Sequence, residues 1–305
     1  MKVSIIIPSY NSARFLNRTL LSVLDQTEQD FEILIVDDGS DDNTAQLLAM
    51  WAARDDRIRT FQLSENSGGA AKPKNVGLSN ARGEYIAVLD SDDEWMPTKL
   101  EKQLELFRSG SDLGFVGCNA LIVESDGTEK KTRLVQTLDV LGRILQSDYM
   151  GTGSSTMYRR EVFEVVGGFD ESLRSGQDWE MRIRLAQKFP FAFVDGPPLV
   201  RYHQHAGNIS KMAVESRDID LQYIENKYKD LYLARPKIYS RKLRFDGTRY
   251  MLAGESKKAR VSFVQAIRHD PTNVFAYCYF LFSIGGFRMY RTLTQMKRAF
   301  RAHRI

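Results

Sequence analysis

Three carboxylates fall within four positions at Asp90-Ser91-Asp92-Asp93, directly after the apolar run Tyr85-Ile86-Ala87-Val88-Leu89. The run reads as a buried strand. A core gives no reason for the carboxylates, because clustered negative charges repel one another and are costly to desolvate. A bound cation removes that cost. Asp-x-Asp at the carboxyl end of a strand offers oxygen ligands to Mn²⁺ or Mg²⁺, with phosphate oxygens and waters completing the shell. Taken alone, the pattern also fits a surface turn.

Other polar groupings carry the same two-sided reading. Asp37-Asp38-Gly39-Ser40 is a turn, or a carboxylate placed to accept a hydrogen bond from a nucleobase or ribose. Asn66-Ser67-Gly68-Gly69 followed by Lys72, Pro73, Lys74 and Asn75 is a turn and helix start, or a flexible backbone and a cation near a diphosphate. Asp178 in Gln177-Asp178-Trp179-Glu180 fits an N-cap or an acid favoured by the helix dipole. Arg201-x-His203-x-His205 is a strand end whose alternate side chains share one face, which suits a metal or phosphate contact.

The elements that must position these groups alternate in type. Strands are expected at Val3–Pro8, Phe31–Val36, Ile58–Gln62 and Tyr85–Leu89, and helices at Ala13–Asp25, Asn43–Arg54 and Lys72–Ala81. That alternation predicts βαβ units around a parallel sheet buried on both faces. Ligands of such sheets sit at the carboxyl ends of the strands. Ser9-Tyr10-Asn11, Asp37–Ser40 and Asp90–Asp93 all fall at such ends. Further on, a helix from Pro97 to Phe107 with Pro97 in its first turn, a strand over Gly114–Val123 and a helix over Leu134–Leu145 are expected. A flexible polar loop over Gly151–Ser155, a turn at Gly167–Asp170, a helix over Asp178–Lys188 and strands at Phe191–Val194 and Leu199–Tyr202 follow. After Ser210 the pattern is helical, with helices at Ser256–Arg268, Pro271–Ser283 and Gly286–Arg301.

At 305 residues and 43% apolar composition, the chain has the length and makeup of a globular domain with an appendage. Cys118 and Cys278 lie far apart, which argues against a disulfide scaffold or a zinc site and suits a reducing, cytoplasmic setting. The N-terminus reads as a first strand rather than a signal peptide, and no run approaches a membrane span. Residues 1–210 carry 23 Lys and Arg against 31 Asp and Glu, while residues 211–305 carry 20 against 8. An acidic body, 1–210, and a basic helical region, 211–305, are thus two parts with different partners. Met289, Leu293, Met296 and Phe300 share a helical face, with Arg288, Arg291, Arg298 and Arg301 on the other side. Residues 286–305 therefore fit a helix docked on the body or one lying on an anionic membrane surface. Nucleic acid is not an expected partner, because no recognition motif accompanies the charge.

Five motifs in order resemble a family 2 glycosyltransferase: Ile7-Pro8-Ser9-Tyr10-Asn11, Val36–Ser40, Leu89–Asp93, Gly167-Gly168-Phe169-Asp170-Glu171 and Gln177–Glu180. The resemblance covers about residues 1–210 and implies the GT-A nucleotide-diphospho-sugar transferase fold, a Rossmann-like α/β architecture with a mainly parallel central sheet, here with an α-helical C-terminal extension. It implies an inverting, metal-dependent enzyme of hexosyl or N-acetylhexosaminyl transfer type. The donor would be a UDP-sugar or similar, the acceptor a glycan or lipid-linked hydroxyl, and the setting cytoplasmic or peripheral on the inner face of the cell membrane. Pro8 and Tyr10 would line the base pocket, Asp38 would bond the base, and Asp90 would contact the ribose. Asn11 and Ser91 belong to the same donor-binding set. Asp92 would hold Mn²⁺ or Mg²⁺. Lys74 stands where the family often has Arg and would meet the diphosphate as a point charge. Arg201 and His203 would lie in a loop closing over the diphosphate, a protonated His203 adding charge. Asp178 would be the catalytic base, although the family commonly has Glu-Asp where this chain has Gln177-Asp178. A catalytically silent nucleotide-sugar-binding module is the alternative from another class; a base at Asp178 favours the enzyme.

Overall fold

The structure is a computed structural model. It describes residues 2–285 except 111, 133, 135, 136, 138, 149, 150, 206 and 209–213, and it leaves out the side chains of 214–216. The helix expected at 286–301 lies outside the described residues. Two compact units are present, residues 1–141 with 149–221, and residues 142–148 with 222–305.

The first unit opens β1 (Val3–Ser9), α1 (Ala13–Leu24), β2 (Phe31–Asp37), α2 (Thr44–Ala52), β3 (Ile58–Gln62), α3 (Ala71–Asn80), β4 (Tyr85–Val88), β5 (Glu94–Trp95) and α4 (Lys99–Ser109). It continues β6 (Phe115–Cys118), β7 (Ala120–Val123), β8 (Glu129–Lys131), α5 (Val140–Gln146, which passes into the second unit at Gly142), a single 3₁₀ turn (Gly153–Ser155), β9 (Met157–Arg159), α6 (Val162–Val166), α7 (Gln177–Ala186), β10 (Phe191–Val194) and β11 (Val200–His203).

Seven strands form the main sheet in the order β10-β6-β9-β4-β1-β2-β3. β1 pairs in parallel with both β2 and β4, β2 with β3, and β10 with β6, while β9 runs antiparallel to both neighbours. Chain direction across the sheet reverses at β1, so a crevice opens at the carboxyl ends of β1, β2 and β4. β1 and β2 are buried along their whole length, as a sheet covered on both faces requires. Val3, Ile5, Ile7, Ile33 and Ile35 pack with Leu16, Leu20 and Val23 of α1 and with Leu100 and Leu104 of α4. On the other face α3 comes close: a Cβ on Gly77 would lie 2.5 Å from Ile6 Cγ2. Glycine there lets α3, which carries Lys74, settle on the sheet.

A second sheet has the order β5-β11-β7-β8. The single strand expected over Gly114–Val123 is two, β6 in the main sheet and β7 in the second. Asn119 makes the break. Its Oδ1 accepts from Leu134 N–H at 2.7 Å, its carbonyl accepts from Leu199 N–H at 2.9 Å, and its Nδ2 donates to Gly196 O at 3.3 Å. The helix expected from Pro97 begins at Lys99, and of the one expected over Leu134–Leu145 the described helical part is α5, with Leu134, Thr137 and Asp139 outside it. β5, β8 and β9 are short strands without an alternating pattern of their own, and the sequence reading did not contain them.

The second unit takes in α8 (Val214–Lys227, which begins in the first unit), α9 (Lys229–Leu233), α10 (Pro236–Leu252), α11 (Ser256–His269) and α12 (Val274–Ile284). Met251, Ala259 and Phe263 form one of its cores, with Tyr279, Phe280 and Phe282 of α12 packed on them. Lys242 is buried between Glu225 and Asp246, reaching Asp246 Oδ2 at 2.8 Å. Among the described residues no helix is long and apolar enough to cross a membrane.

Candidate active site

The turns after β1 and β2 are pinned to each other. Asn11 has a left-handed backbone (φ 49°), which a short polar side chain tolerates. Its N–H donates to Ser40 Oγ at 2.9 Å and its Oδ1 accepts from Asp41 N–H at 3.0 Å. Asp37 closes the second turn by accepting from Ser40. Asp38 is therefore the member of the pair that reaches the next segment. Its carboxylate accepts from Ser67 Oγ at 2.8 Å, Ser67 N–H at 3.1 Å and Asn66 Nδ2 at 3.3 Å. Burial pushes the Asp38 carboxyl up despite those bonds. Pro8 lies inside β1 and is buried, Tyr10 is 48% exposed, and Ser91 Oγ meets Ser12 Oγ at 2.6 Å. A cavity of about 240 Å³ opens beside Ser67, walled by Gly69, Lys72, Glu171 and Arg174.

A charged centre stands at the end of β4. Lys74 is fully buried, yet its Nζ donates to both oxygens of Asp178 at 2.9 Å and lies 3.9 Å from Asp90 Oδ1. Asp178 sits in the first turn of α7, two residues after Gly176, whose left-handed backbone (φ 76°) starts the helix. It is thus not the N-cap. Burial opposes its charge, but the Lys74 ammonium and the Arg182 guanidinium outweigh burial and hold Asp178 below the usual carboxylate range. Asp90 goes the other way. Burial, then the nearby Asp178 and Asp92 carboxylates, push it up to about 6 even with Lys74 beside it.

The stretch 151–155, expected to be a flexible loop, closes this centre from one side. Ser154 and Ser155 are fully buried. Ser154 Oγ donates to Asp93 Oδ2 at 2.6 Å and accepts from Asp90 N–H at 3.1 Å. A Cβ on Gly153 would come within 2.9 Å of Asp178 Oδ2. Arg182, fully buried one turn after Asp178, donates to Thr152 O at 2.8 Å and Thr156 Oγ1 at 3.0 Å. Sequence reading missed Ser154, Gly153 and Arg182. For Gly153 and Ser154 the one available signal was a run of small residues with no charge, which describes a loop as well as it describes a tight buried turn.

The acidic cluster after β4 divides its work. Asp93 is buried, held by Ser154 and by His203 N–H at 3.1 Å, and burial with the Asp92 and Asp90 charges raises its carboxyl well above the usual range. Asp92 Oδ2 accepts from His205 Nε2 at 2.8 Å and from Asn208 Nδ2 at 3.1 Å. Its Oδ1 has no hydrogen bond among the described residues. His203 Nε2 meets Glu94 Oε1 at 2.5 Å, so the two imidazoles reach two different acids of the cluster. Burial, with Arg18 and Arg201 nearby, outweighs Glu94 and moves the His203 imidazole below its ordinary value. Arg201 and His203 are also strand residues rather than part of a loop, and Arg201 Nη2 lies 3.7 Å from Glu129 in the second sheet.

No three His, Cys, Asp or Glu side chains among the described residues form a ready-made metal cage. The donor chemistry still fits a hard divalent cation. Mg²⁺-type sites commonly take one or two carboxylates and fill the rest with substrate phosphate and water. Asp92 has an uncommitted oxygen, and Asp90 beside it carries the mutual repulsion that a cation would relieve.

Two of the motifs prove to be a single contact. Asn75 Oδ1 accepts from Phe169 N–H at 2.8 Å, while its Nδ2 donates to Phe169 O at 2.9 Å and to Glu171 Oε1 at 2.7 Å. The Phe169 ring then lies 5.3 Å from Lys74 Nζ. Asn75 thus ties α3 to the glycine turn before α7.

A mainly parallel sheet with acids gathered at its switch point is the GT-A architecture. A structure of S. aureus TarS 1–349 in complex with UDP-GlcNAc shares it, with a TM-score of 0.64 at 21% identity, covering 98% of this chain and 92% of that one. The chain belongs to glycosyl transferase family 2, whose profile matches residues 4–167. It is 39% identical over 181 residues to an uncharacterized glycosyltransferase of Nostoc sp., covering 56% of this chain and 54% of that protein. It is 45% identical over 127 residues to the putative teichuronic acid biosynthesis glycosyltransferase TuaG of Bacillus subtilis, covering 41% and 49%. Each match spans about half the length of these relatives.

Proposed function

We propose that this protein is an inverting glycosyltransferase that moves a sugar from a nucleotide-diphosphate sugar, a UDP-sugar, to a hydroxyl of a glycan or lipid-linked acceptor. The observation that carries this reading is the Lys74–Asp178 pair set 3.9 Å from Asp90 at the switch point of the sheet. An ionised carboxylate in the first turn of a helix, beside an acidic strand end, is placed to take a proton from an attacking hydroxyl. The UDP-GlcNAc complex of the structural neighbour supports the donor class, and the relative named for teichuronic acid biosynthesis supports a glycan acceptor.

In this reading Asp38, with Pro8, Tyr10 and Asn11 at the end of β1, receives the base, and Asp90 and Ser91 meet the ribose. Asp92, with Asp90, would hold Mn²⁺ or Mg²⁺, which when bound supplies Lewis-acid neutralisation of diphosphate charge. Asp178 takes the acceptor proton while the hydroxyl attacks the face opposite the leaving group, and a single displacement inverts the anomeric carbon. Lys74 keeps Asp178 ionised. A diphosphate that draws the Lys74 ammonium toward itself leaves Asp178 a stronger base at the moment one is needed.

The test is Asp178→Asn, measured for transfer across nucleotide sugars with Mn²⁺ and with Mg²⁺. Transfer should fall by about 10²–10⁴-fold while donor binding persists. Transfer at the parental rate would remove Asp178 from the chemistry.

A further inference from the structure

We infer that the outward face of α12 is a docking surface for an anionic lipid bilayer. This site is independent of the catalytic reading. α12 is an eleven-residue helix of sequence VFAYCYFLFSI, with no charged residue. Its inner side is accounted for: Ala276 and Ser283 are buried, and Tyr279, Phe280 and Phe282 pack on the core of the second unit. Its outer side is exposed. Val274 is 67% exposed, Phe275 60%, Tyr277 41%, Leu281 61% and Ile284 59%. Val274, Tyr277, Leu281 and Ile284 recur at helical spacing, so they form one continuous stripe. Exposed apolar surface of this extent marks an interaction site.

Charge selects the occupant. Residues 222–285 carry twelve Lys and Arg against five Asp and Glu. In the α11–α12 hairpin Lys257, Lys258 and Arg268 are exposed, and Asp270 is the one acid between Ser256 and Ile284. The Arg244 guanidinium carbon lies 5.9 Å from the Phe275 ring, so a basic group borders the stripe itself. A second copy of the chain would bring like charges together around the apolar contact, whereas an anionic headgroup layer attracts them. At about 16 Å the helix is too short for a hydrocarbon core of roughly 30 Å, so it lies in the interface rather than across it. Tyr277 supplies the amphipathic ring that favours that depth.

The test uses the full chain and a Phe275→Ser/Leu281→Ser double variant, with vesicles of phosphatidylglycerol or of phosphatidylcholine, read by co-sedimentation. Both substituted positions are exposed, and an unchanged melting temperature checks that the variant is folded. The parent should bind the anionic vesicles and not the neutral ones, and the double variant should lose at least about tenfold in partition. Salt should weaken the parent's binding. Equal partition of parent and double variant overturns the proposal and leaves any binding to another part of the chain. Equal binding to the two lipids overturns it as well. A parent that is dimeric by light scattering, with the double variant monomeric and neither bound to vesicles, assigns the face to a second copy and overturns it.

Discussion

Replacing Lys74 by Met removes the ammonium from the charged centre at nearly constant volume. Two unit charges 2.9 Å apart, as in Lys74 and Asp178, attract by about 6 kcal/mol at an effective dielectric of about 20. Desolvation of both groups cancels part of this, and Arg182 still faces Asp178. The net loss at neutral pH should therefore be about 3–5 kcal/mol, the scale for a buried ion left without its partner. The pH dependence separates this account from a packing defect. In the parent, the folded-state carboxyl of Asp178 lies below its unfolded value, so its contribution is present above about pH 4 and is lost as the pH falls through the folded value. In Lys74→Met, burial acts with less opposition and the folded value should rise above the unfolded one. The ionised carboxylate then destabilises the fold at pH 7, and protonation relieves it. The deficit of the variant should be largest near neutrality and shrink on acidification. Urea unfolding of parent and variant at about pH 7.5 and about pH 5 measures it. A second change, Asp178→Leu, should recover most of the loss, since an apolar pair can replace a buried ion pair. A deficit that is equal at the two pH values, or that Asp178→Leu does not relieve, would refute the electrostatic reasoning.

Three further outcomes are expected. Asp38→Ala should weaken UDP binding by roughly 1–3 kcal/mol in calorimetry, and unchanged affinity would place the base elsewhere. UDP affinity should be higher in Mn²⁺ than in EDTA, and Asp92→Asn should erase the difference; equal affinity in both for the parent would end the metal assignment. Lys99 is fully buried with its Nζ 3.7 Å from the Trp95 ring centroid, and its amine has no hydrogen-bond partner among the described residues. Burial lowers that amine to about 7, so the parent should gain stability as the pH rises from 7 toward the unfolded lysine value, on the order of 2–3 kcal/mol by about pH 9. Lys99→Met should melt higher than the parent at pH 7, with the gap closing toward pH 9; a constant gap would show that Lys99 does not titrate in this range.

The sequence by itself determined the framework. Apolar runs at Val3–Pro8, Phe31–Val36 and Tyr85–Leu89 alternate with amphipathic helices, and each run is long enough to span a doubly covered sheet. Those local patterns specify βαβ units, and the units put Ser9–Asn11, Asp37–Ser40 and Asp90–Asp93 at adjoining strand ends. The tertiary structure decided what those residues touch. Lys74 and Asp178 are 104 positions apart, and His205 and Asp92 are 113 apart; no local period links either pair. The same holds where one pattern hides two fates. Gly114–Val123 reads as a single apolar strand because β-periodicity does not show which sheet a strand joins, and only the bonds of Asn119 to Leu134, Leu199 and Gly196 divide it. Gly151–Ser155 reads as a loop because its glycine, serine and threonine have weak preferences, and only the approach of Asp178, Asp93 and Arg182 makes Thr152–Ser155 a buried turn. The protonation of the site follows the same rule. Sequence supplies the ionisable groups, while the burial and neighbours that push Asp90 up and hold Asp178 and His203 down exist only once the chain has folded.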